Sequence, residues 1–128
     1  MPKTIFVVDD EPHILDFLRE QLEDAQYTVY AAENAADAVA LARKHKPDLI
    51  IMDIMIPDGG GVDIYHRMEK AAKISYIPGI FLSAAPIEVL KDQIAALKYG
   101  LFMQKPWNKA QLLANIRKML EEPPPKQA

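Results

Sequence analysis

Five short runs of apolar residues recur along the chain, separated by longer segments of mixed polarity. Each run is too short for a helix, and most are rich in β-branched or aromatic residues, so we expect β-strands. Three of the runs, the first, third and fourth, are apolar on both faces, which is typical of strands buried in a parallel sheet. The five runs are 5–8, 28–31, 49–52, 79–82 and 101–103.

The segments between the runs carry apolar residues at helical spacing. Apolar residues repeat every four positions from Ile14 to Leu22, behind Pro12, whose missing N–H costs nothing in a first helical turn. Asn34 and Asn108 are suited to cap the second and fifth predicted helices. The other four apolar stripes are Ala38, Leu41 and Ala42; Ile64, Met68 and Ala71; Ile87, Leu90, Ile94 and Leu97; and Leu113, Ile116 and Leu120.

The predicted elements alternate between strand and helix five times. Such alternation gives a parallel sheet with crossover helices on both faces, and five units are too few for an eight-stranded barrel. We therefore predict an α/β fold of class (βα)5, a doubly wound, flavodoxin-like, five-stranded parallel sheet in the order 2-1-3-4-5. One domain is expected over residues 1–121, and the proline-rich residues 122–128 are expected to form a tail or linker.

The amino-acid composition excludes several classes of function. The 128 residues carry a formal net charge of −3, so we do not expect this chain to bind nucleic acid. The absence of cysteine excludes disulfides, thiol catalysis and Cys-ligated metals, and it is compatible with a reducing cytoplasm. No apolar run approaches the roughly 20 residues of a membrane span, and no signal peptide is expected. We expect a cytoplasmic protein without membrane contact.

Polar residues follow four of the five predicted strands. Asp9 and Asp10 follow the first, Asp53 the third, Ser83 the fourth and Lys105 the fifth, whereas the second strand ends in alanines. In the order 2-1-3-4-5, the four strands with polar ends are neighbours. These side chains should therefore meet at the carboxyl edge of the sheet, where open α/β sheets bind their ligands.

The chemistry of these side chains points to phosphoryl transfer. Three carboxylates at one edge repel one another unless a cation neutralises them, and hard oxygen ligands without His or Cys favour Mg²⁺. A carboxylate beside Mg²⁺ and a lysine is a nucleophile toward phosphorus. Mg²⁺, Lys105 and Ser83 would each stabilise one oxygen of the transferred phosphoryl group.

Four motifs at these strand ends together resemble the receiver domain of two-component response regulators, in the CheY-like superfamily. The resemblance covers residues 3 to about 121. Each motif is weak alone, but all four in this order form a specific signal. The motifs are Val7-Val8-Asp9-Asp10-Glu11-Pro12, Asp53-Ile54-Met55-Ile56-Pro57-Asp58-Gly59-Gly60-Gly61, Phe81-Leu82-Ser83-Ala84 and Lys105-Pro106-Trp107.

The resemblance implies that Asp53 is the phosphoacceptor of a signalling domain that is not an enzyme. A sensor histidine kinase or a phosphotransfer protein would donate the phosphoryl group from phosphohistidine, in a reaction that needs Mg²⁺ or Mn²⁺. The chain would assist its own phosphorylation and slow dephosphorylation. The modification would switch the face formed by helix 4, strand 5 and helix 5, which would regulate an output domain or partner. A homodimer that forms on phosphorylation is one such output.

The resemblance also implies a role for each residue of the site. Asp10, Asp53 and the backbone carbonyl of Met55 would bind the metal, with help from Asp9, often through water. Lys105, Ser83 and the backbone of Ala84 would bind the phosphoryl group. The other implied roles are switching by Ser83 and Phe102 and shaping of loops by Pro57, Gly61 and Pro106, the last often after a cis bond.

The sequence departs from the family pattern in three places. Lys98 stands where receivers usually carry glycine, and Gly100 follows two residues later. The switch residue is Phe102 rather than tyrosine, so it has no hydroxyl. Met55 and Ala85 cannot bind an attacking water through their side chains, so we expect slow loss of the phosphoryl group.

Other interpretations remain open at this point. A pseudo-receiver would act as an interaction module without phosphorylation, although all five polar groups are present. A haloacid-dehalogenase-like phosphatase would carry a DxD pattern after strand 1, where this chain has adjacent Asp9 and Asp10. These two residues could also be mere helix N-caps. Flavin binding is disfavoured because three carboxylates would repel a flavin phosphate. The chain could stand alone or be one part of a longer regulator or hybrid kinase.

Overall fold

Five parallel strands form one sheet in the order β2-β1-β3-β4-β5, as the sequence predicts. The structure is a computed structural model that describes residues 2–95, 97 and 100–121. Lys98 and the predicted tail, 122–128, lie outside the described residues. The strands are β1 (Thr4–Val8), β2 (Thr28–Ala32), β3 (Leu49–Asp53), β4 (Gly79–Ser83) and β5 (Leu101–Gln104). The helices are α1 (Pro12–Asp24), α2 (Ala35–Lys44), α3 (Gly61–Ala72), α4 (Lys91–Ala95) and α5 (Lys109–Glu121).

The two faces of the sheet carry separate apolar cores, because alternate strand residues point to opposite faces. One face packs against α2 and α3, and the other packs against α1 and α5. The first core includes Phe6, Val8, Ile50, Met52, Phe81, Ala38, Ala42, Ile64 and Met68. The second includes Ile5, Val7, Leu49, Ile51, Ile80, Leu82, Leu15, Leu18, Leu22, Leu112 and Ile116. The apolar patterns of the central strands and of the helices are thus explained by burial.

Three helices begin at the residues that the sequence predicts for their starts. The side-chain oxygen of Asn34 accepts a hydrogen bond from the Asp37 N–H at 2.8 Å. In the same way, Asn108 accepts from the Gln111 N–H at 2.9 Å, and Pro12 is the first residue of α1. These contacts satisfy N–H groups that a helix start leaves without partners.

The fourth predicted helix differs from the expectation. The chain forms a 3₁₀ turn at Ile87–Leu90 and only then the short helix α4. Ile87 and Leu90 are three residues apart, a spacing that fits the three residues per turn of a 3₁₀ helix as well as an α-helix. The apolar pattern alone therefore could not distinguish the two. None of the described helices is long and apolar enough to cross a membrane.

Strand register brings the polar residues to one edge. Val8 pairs with Met52, so Asp9 and Asp53 begin at the same level. Asp53 pairs with Leu82, and therefore Ser83 lies one residue further out. Ser83 pairs with Gln104, so Lys105 lies one residue beyond the level of Ser83 at the same edge.

Candidate functional site

Asp9 is a fully buried carboxylate at the end of β1. Its Oδ1 accepts a hydrogen bond from the Glu11 N–H at 2.9 Å, and its Oδ2 accepts one from Lys105 Nζ at 2.8 Å. The N-cap position of α1 belongs to Glu11, which makes no side-chain cap bond. The interpretation of Asp9 or Asp10 as the N-cap of α1 is therefore wrong, and Asp9 faces the carboxyl edge of the sheet.

Asp53, the last residue of β3, lies beside Asp9 and is 8% exposed. Its Oδ1 accepts a hydrogen bond from the Met55 N–H at 3.0 Å. Its Oδ2 accepts one from Lys105 Nζ at 3.3 Å. The carboxylate is thus held on both oxygens, and its surroundings leave it partly accessible to a ligand.

Lys105 joins the two buried carboxylates. Its backbone N–H donates to the Ser83 carbonyl at 2.8 Å, and the Lys105–Pro106 peptide bond is cis, as expected. Burial lowers the pKa of the ammonium, but the hydrogen bond to Asp9 and the charges of Asp53 and Asp9 outweigh it, so the pKa is raised above 10.5. Lys105 therefore remains a cation at neutral pH.

Asp9, Asp10 and Asp53 form a group that fits a metal ion. One carboxylate oxygen from each lies within 4.8 Å of the others, and within the described part of the chain no other such group occurs. The donor set is entirely carboxylate, which suits Mg²⁺. Asp10 is exposed whereas the other two are buried, so one side of the group is open to the water that Mg²⁺ retains.

The predicted phosphoryl-binding and switch residues lie in, or directly after, the neighbouring strands β4 and β5. Ser83 is buried, and its Oγ accepts a hydrogen bond from the Ala85 N–H at 3.0 Å. Ala84 is exposed between them. Phe102 is half-buried with its ring stacked on Phe81, at 5.6 Å between ring centroids. The proposed movements of Ser83 and Phe102 stay predictions.

The loop after Asp53 returns to the end of β3 at Gly61. Pro57 is exposed, and the backbone then runs through positive φ at Asp58, Gly59 and Gly60. The Gly61 N–H donates to the Ile54 carbonyl at 2.9 Å. A Cβ on Gly61 would lie 2.8 Å from Ile54 Cα and against the carbonyl of Asp53. Gly61 is therefore needed because the two backbones touch.

We expect Gly61→Ala to push this loop away from β3 and to lower the free energy of unfolding by about 1–3 kcal/mol. Urea unfolding of the two proteins measures the difference. Asp58→Asn is a suitable control, because it changes an exposed residue of the same loop without adding a Cβ, and Asn tolerates the positive φ that Asp58 already has. An alanine variant no less stable than the control would contradict the steric explanation.

Burial raises the pKa of Asp9 above 3.8, although the Lys105 and Glu11 hydrogen bonds lower it. The folded protein then holds this proton more tightly than the unfolded chain, so ionised Asp9 opposes folding. Asp9 contributes most to the free energy of unfolding below pH 3.8. This contribution falls as the pH rises through the raised pKa of Asp9 in the folded state.

We therefore expect Asp9→Asn to gain stability relative to the wild type as the pH rises from about 4 to 7 in metal-free buffer. Unfolding by urea at several pH values, with a chelator present, gives this difference. Asp58→Asn removes an exposed negative charge from the nearby loop and serves as the control. A stability difference that shrinks with rising pH would mean that the pKa of Asp9 is lowered in the fold.

Two contacts of the site were not foreseen from the sequence. Lys105 is closer to Asp9 than to Asp53, and Trp107 Nε1 donates to Gln21 Oε1 at 2.8 Å. The position of Trp107, two residues after Lys105, was the feature of the sequence that could have indicated the second contact. The ring of Trp107 also packs against the core that α1 and α5 share.

Comparison with known proteins supports the resemblance. A sequence model described as "Response regulator receiver domain" matches residues 5–117. TcrX of Mycobacterium tuberculosis, a "probable transcriptional regulatory protein", is 29% identical over 121 residues, covering 93% of this chain and 50% of TcrX. The chain thus spans about half the length of that curated relative.

Solved structures share the fold over almost the whole chain. The chemotaxis protein CheY4 of Vibrio cholerae is 25% identical, with a TM-score of 0.82 over 93% of this chain and 99% of that chain. The receiver domain of a sensor histidine kinase from Pseudomonas aeruginosa PAO1, solved with a magnesium ion in its active-site cleft, has a TM-score of 0.84. It is 20% identical and covers 95% of this chain and 100% of that chain, so it shows the fold alone.

Sequence match, strand order and acidic cluster agree with one another. Histidine kinases and output domains are the partners of this family, and Mg²⁺ binds in its acidic site. The chain belongs to the family of response-regulator receiver domains of two-component signalling systems.

Proposed function

We propose that Asp53 accepts a phosphoryl group from a phosphohistidine of a sensor histidine kinase or phosphotransfer protein. The observation that carries this proposal is the placement of Lys105 Nζ within 3.3 Å of Asp53 and 2.8 Å of Asp9, beside the only group of three carboxylates among the described residues. A carboxylate oxygen of Asp53 attacks phosphorus, and the N–P bond breaks. The imidazole leaves, and Asp53 becomes an acyl phosphate.

Each residue of the site has its own role in this transfer. The Met55 N–H orients the Asp53 carboxylate through Oδ1, and Lys105 contacts Oδ2 from the other side. Lys105 then pairs with a phosphoryl oxygen, while Ser83 and the backbone of Ala84 bind others. Asp10, Asp53, the Met55 carbonyl and Asp9, directly or through water, would hold Mg²⁺ or Mn²⁺, which neutralises charge on the phosphoryl oxygens. The donor set of three carboxylates supports this choice of ion.

The proposed output is a change in packing around Phe102. Phe102 packs against Phe81 and against a small cluster that includes Leu90, next to the 3₁₀ turn and α4. Movement of Ser83 toward the phosphoryl group releases its bond to the Ala85 N–H and shifts this region. The face of α4, β5 and α5 then binds an output domain, a partner protein or a second copy of the chain.

We further propose that residues 1–121 are the receiver and that 122–128 are a tail or linker to an output region. The half-length match to TcrX supports an output region beyond a receiver. Cytoplasmic placement follows from the proposed kinase partner. Because the proposed reaction leaves the phosphoryl group on Asp53 of the chain itself, we class the chain as a signalling domain rather than an enzyme.

The proposed function is tested by intact-mass spectrometry after incubation with acetyl phosphate. We expect one added phosphoryl group with Mg²⁺ present and none with a chelator. The same assay with a phosphorylated phosphotransfer protein tests the natural type of donor. No adduct from either donor, despite measured Mg²⁺ binding, would overturn the proposal and favour the pseudo-receiver.

The lifetime of the phosphoryl group is expected to be long, because Met55 is an exposed thioether that orients no attacking water. Met55→Asn supplies an amide at this position, and we expect it to speed dephosphorylation by about tenfold. The decay of the phosphorylated species after donor removal measures this rate. Met55→Leu, which adds no polar group, is the control. An asparagine variant that decays no faster would refute the explanation.

A further inference from the structure

The segment that carries Lys105 is attached to α1 by the side chain of Trp107. The indole N–H donates to Gln21 Oε1 at 2.8 Å, and Gln21 is 8% exposed. The indole ring also lies against Phe17, with 5.6 Å between ring centroids. Trp107 is the only tryptophan of the chain, and it is half-buried.

Lys105 needs such an attachment because its side chain is long and flexible. Four rotatable bonds separate its backbone from an ammonium that must contact Asp9 and Asp53 together. Upstream, the Lys105 N–H bonds to the Ser83 carbonyl, which fixes the end of β5. Downstream, the first anchored side chain is Trp107, two residues away.

Helix α1, to which Trp107 is attached, begins close to the carboxylate group. Asp9 lies three residues before the start of α1, and Gln21 and Phe17 lie on α1. The Trp107–Gln21 bond therefore joins the two segments that supply Lys105 and Asp9, at a point outside the carboxylate cluster.

We propose that Trp107 is a positioning residue, which through Gln21 and Phe17 holds the Lys105 ammonium at the distance required for phosphoryl transfer. This inference rests on the proposed function. Trp107 hydrogen-bonds Gln21 and packs on Phe17 rather than contacting either carboxylate, so it acts through Lys105.

The first test compares Gln21→Met and Trp107→Phe with the wild type. Each variant removes the hydrogen bond: Gln21→Met keeps a side chain of similar length, and Trp107→Phe keeps an aromatic ring. At saturating Mg²⁺ and acetyl phosphate, we expect phosphorylation to slow by roughly five- to tenfold. The Mg²⁺ concentration for half-maximal rate should not rise, because Asp9, Asp10 and Asp53 stay in place.

Val29→Ala is the matched control, because it removes buried volume from β2, which contributes no residue to the site. Its phosphorylation rate should equal that of the wild type well below the unfolding temperature. Wild-type rates in Gln21→Met and Trp107→Phe, or an equal loss in the control, would overturn the inference.

A second readout separates this inference from the proposed function. Unfolding free energies of Gln21→Met, Lys105→Met and the double variant form a cycle that needs no phosphorylation. If Trp107 positions Lys105, the double variant loses less stability than the sum of the two single variants. Strict additivity would overturn the inference even where the wild type is phosphorylated, and coupling would support it even where acetyl phosphate gives no adduct.

Discussion

Lys105→Met is expected to slow phosphorylation by roughly 10²- to 10³-fold, the loss typical of removing one preorganised charge donor from a site. The ammonium lies 3.3 Å from Asp53 and 2.8 Å from Asp9, and its surroundings exclude most water. Methionine keeps the length of the side chain and removes its charge. The rate constant with acetyl phosphate at saturating Mg²⁺ measures the loss.

The same variant should bind Mg²⁺ more tightly than the wild type. Lys105 and the metal neutralise the same carboxylates, so removing the lysine leaves Asp9 and Asp53 with the metal as their remaining cation. The rise in melting temperature on adding Mg²⁺ should therefore be larger in the variant. Lys109→Met, at the exposed start of α5, is the control. An unchanged phosphorylation rate in Lys105→Met would contradict the role given to the lysine.

Asp53→Asn is expected to abolish phosphorylation altogether. An amide oxygen is a poor nucleophile toward phosphorus, and no other carboxylate has the same placement. Asp9 is fully buried beneath Lys105, and Asp10 is exposed at the rim. The variant should also bind Mg²⁺ more weakly, because it loses one of three carboxylate ligands. Intact mass and a metal titration measure the two effects.

Asp58→Asn is a matched control for this variant. It makes the same chemical change in the loop after β3, but Asp58 is outside the carboxylate group. It should be phosphorylated as the wild type is. Full phosphorylation of Asp53→Asn at a single new residue would show that the acceptor is a different side chain.

The sequence predicts the sheet well because each strand coincides with a run of apolar residues. Every run agrees with its strand within one residue at either end, and the strand order is confirmed. That order also explains why Asp9, Asp53, Ser83 and Lys105 meet: their strands are neighbours, and register places them at similar heights.

Other features depend on three-dimensional detail that residue patterns do not contain. The closeness of Lys105 to Asp9 depends on how a long side chain crosses two strands, and spacing along the chain carries no such information. The need for Gly61 reflects contact with the backbone of Asp53 and Ile54, which the family pattern implied without a reason. The 3₁₀ turn at Ile87–Leu90 was missed because its spacing also fits an α-helix.

The measurement that tests the central claim most directly is identification of the phosphorylated residue. The chain is incubated with acetyl phosphate and Mg²⁺, the acyl phosphate is reduced with borohydride, and the peptides are sequenced by mass spectrometry. Reduction converts a phosphorylated aspartate to homoserine, so the account predicts homoserine at position 53 and nowhere else. Homoserine at another aspartate, or a phosphoryl group that survives as a serine or histidine modification, would contradict it.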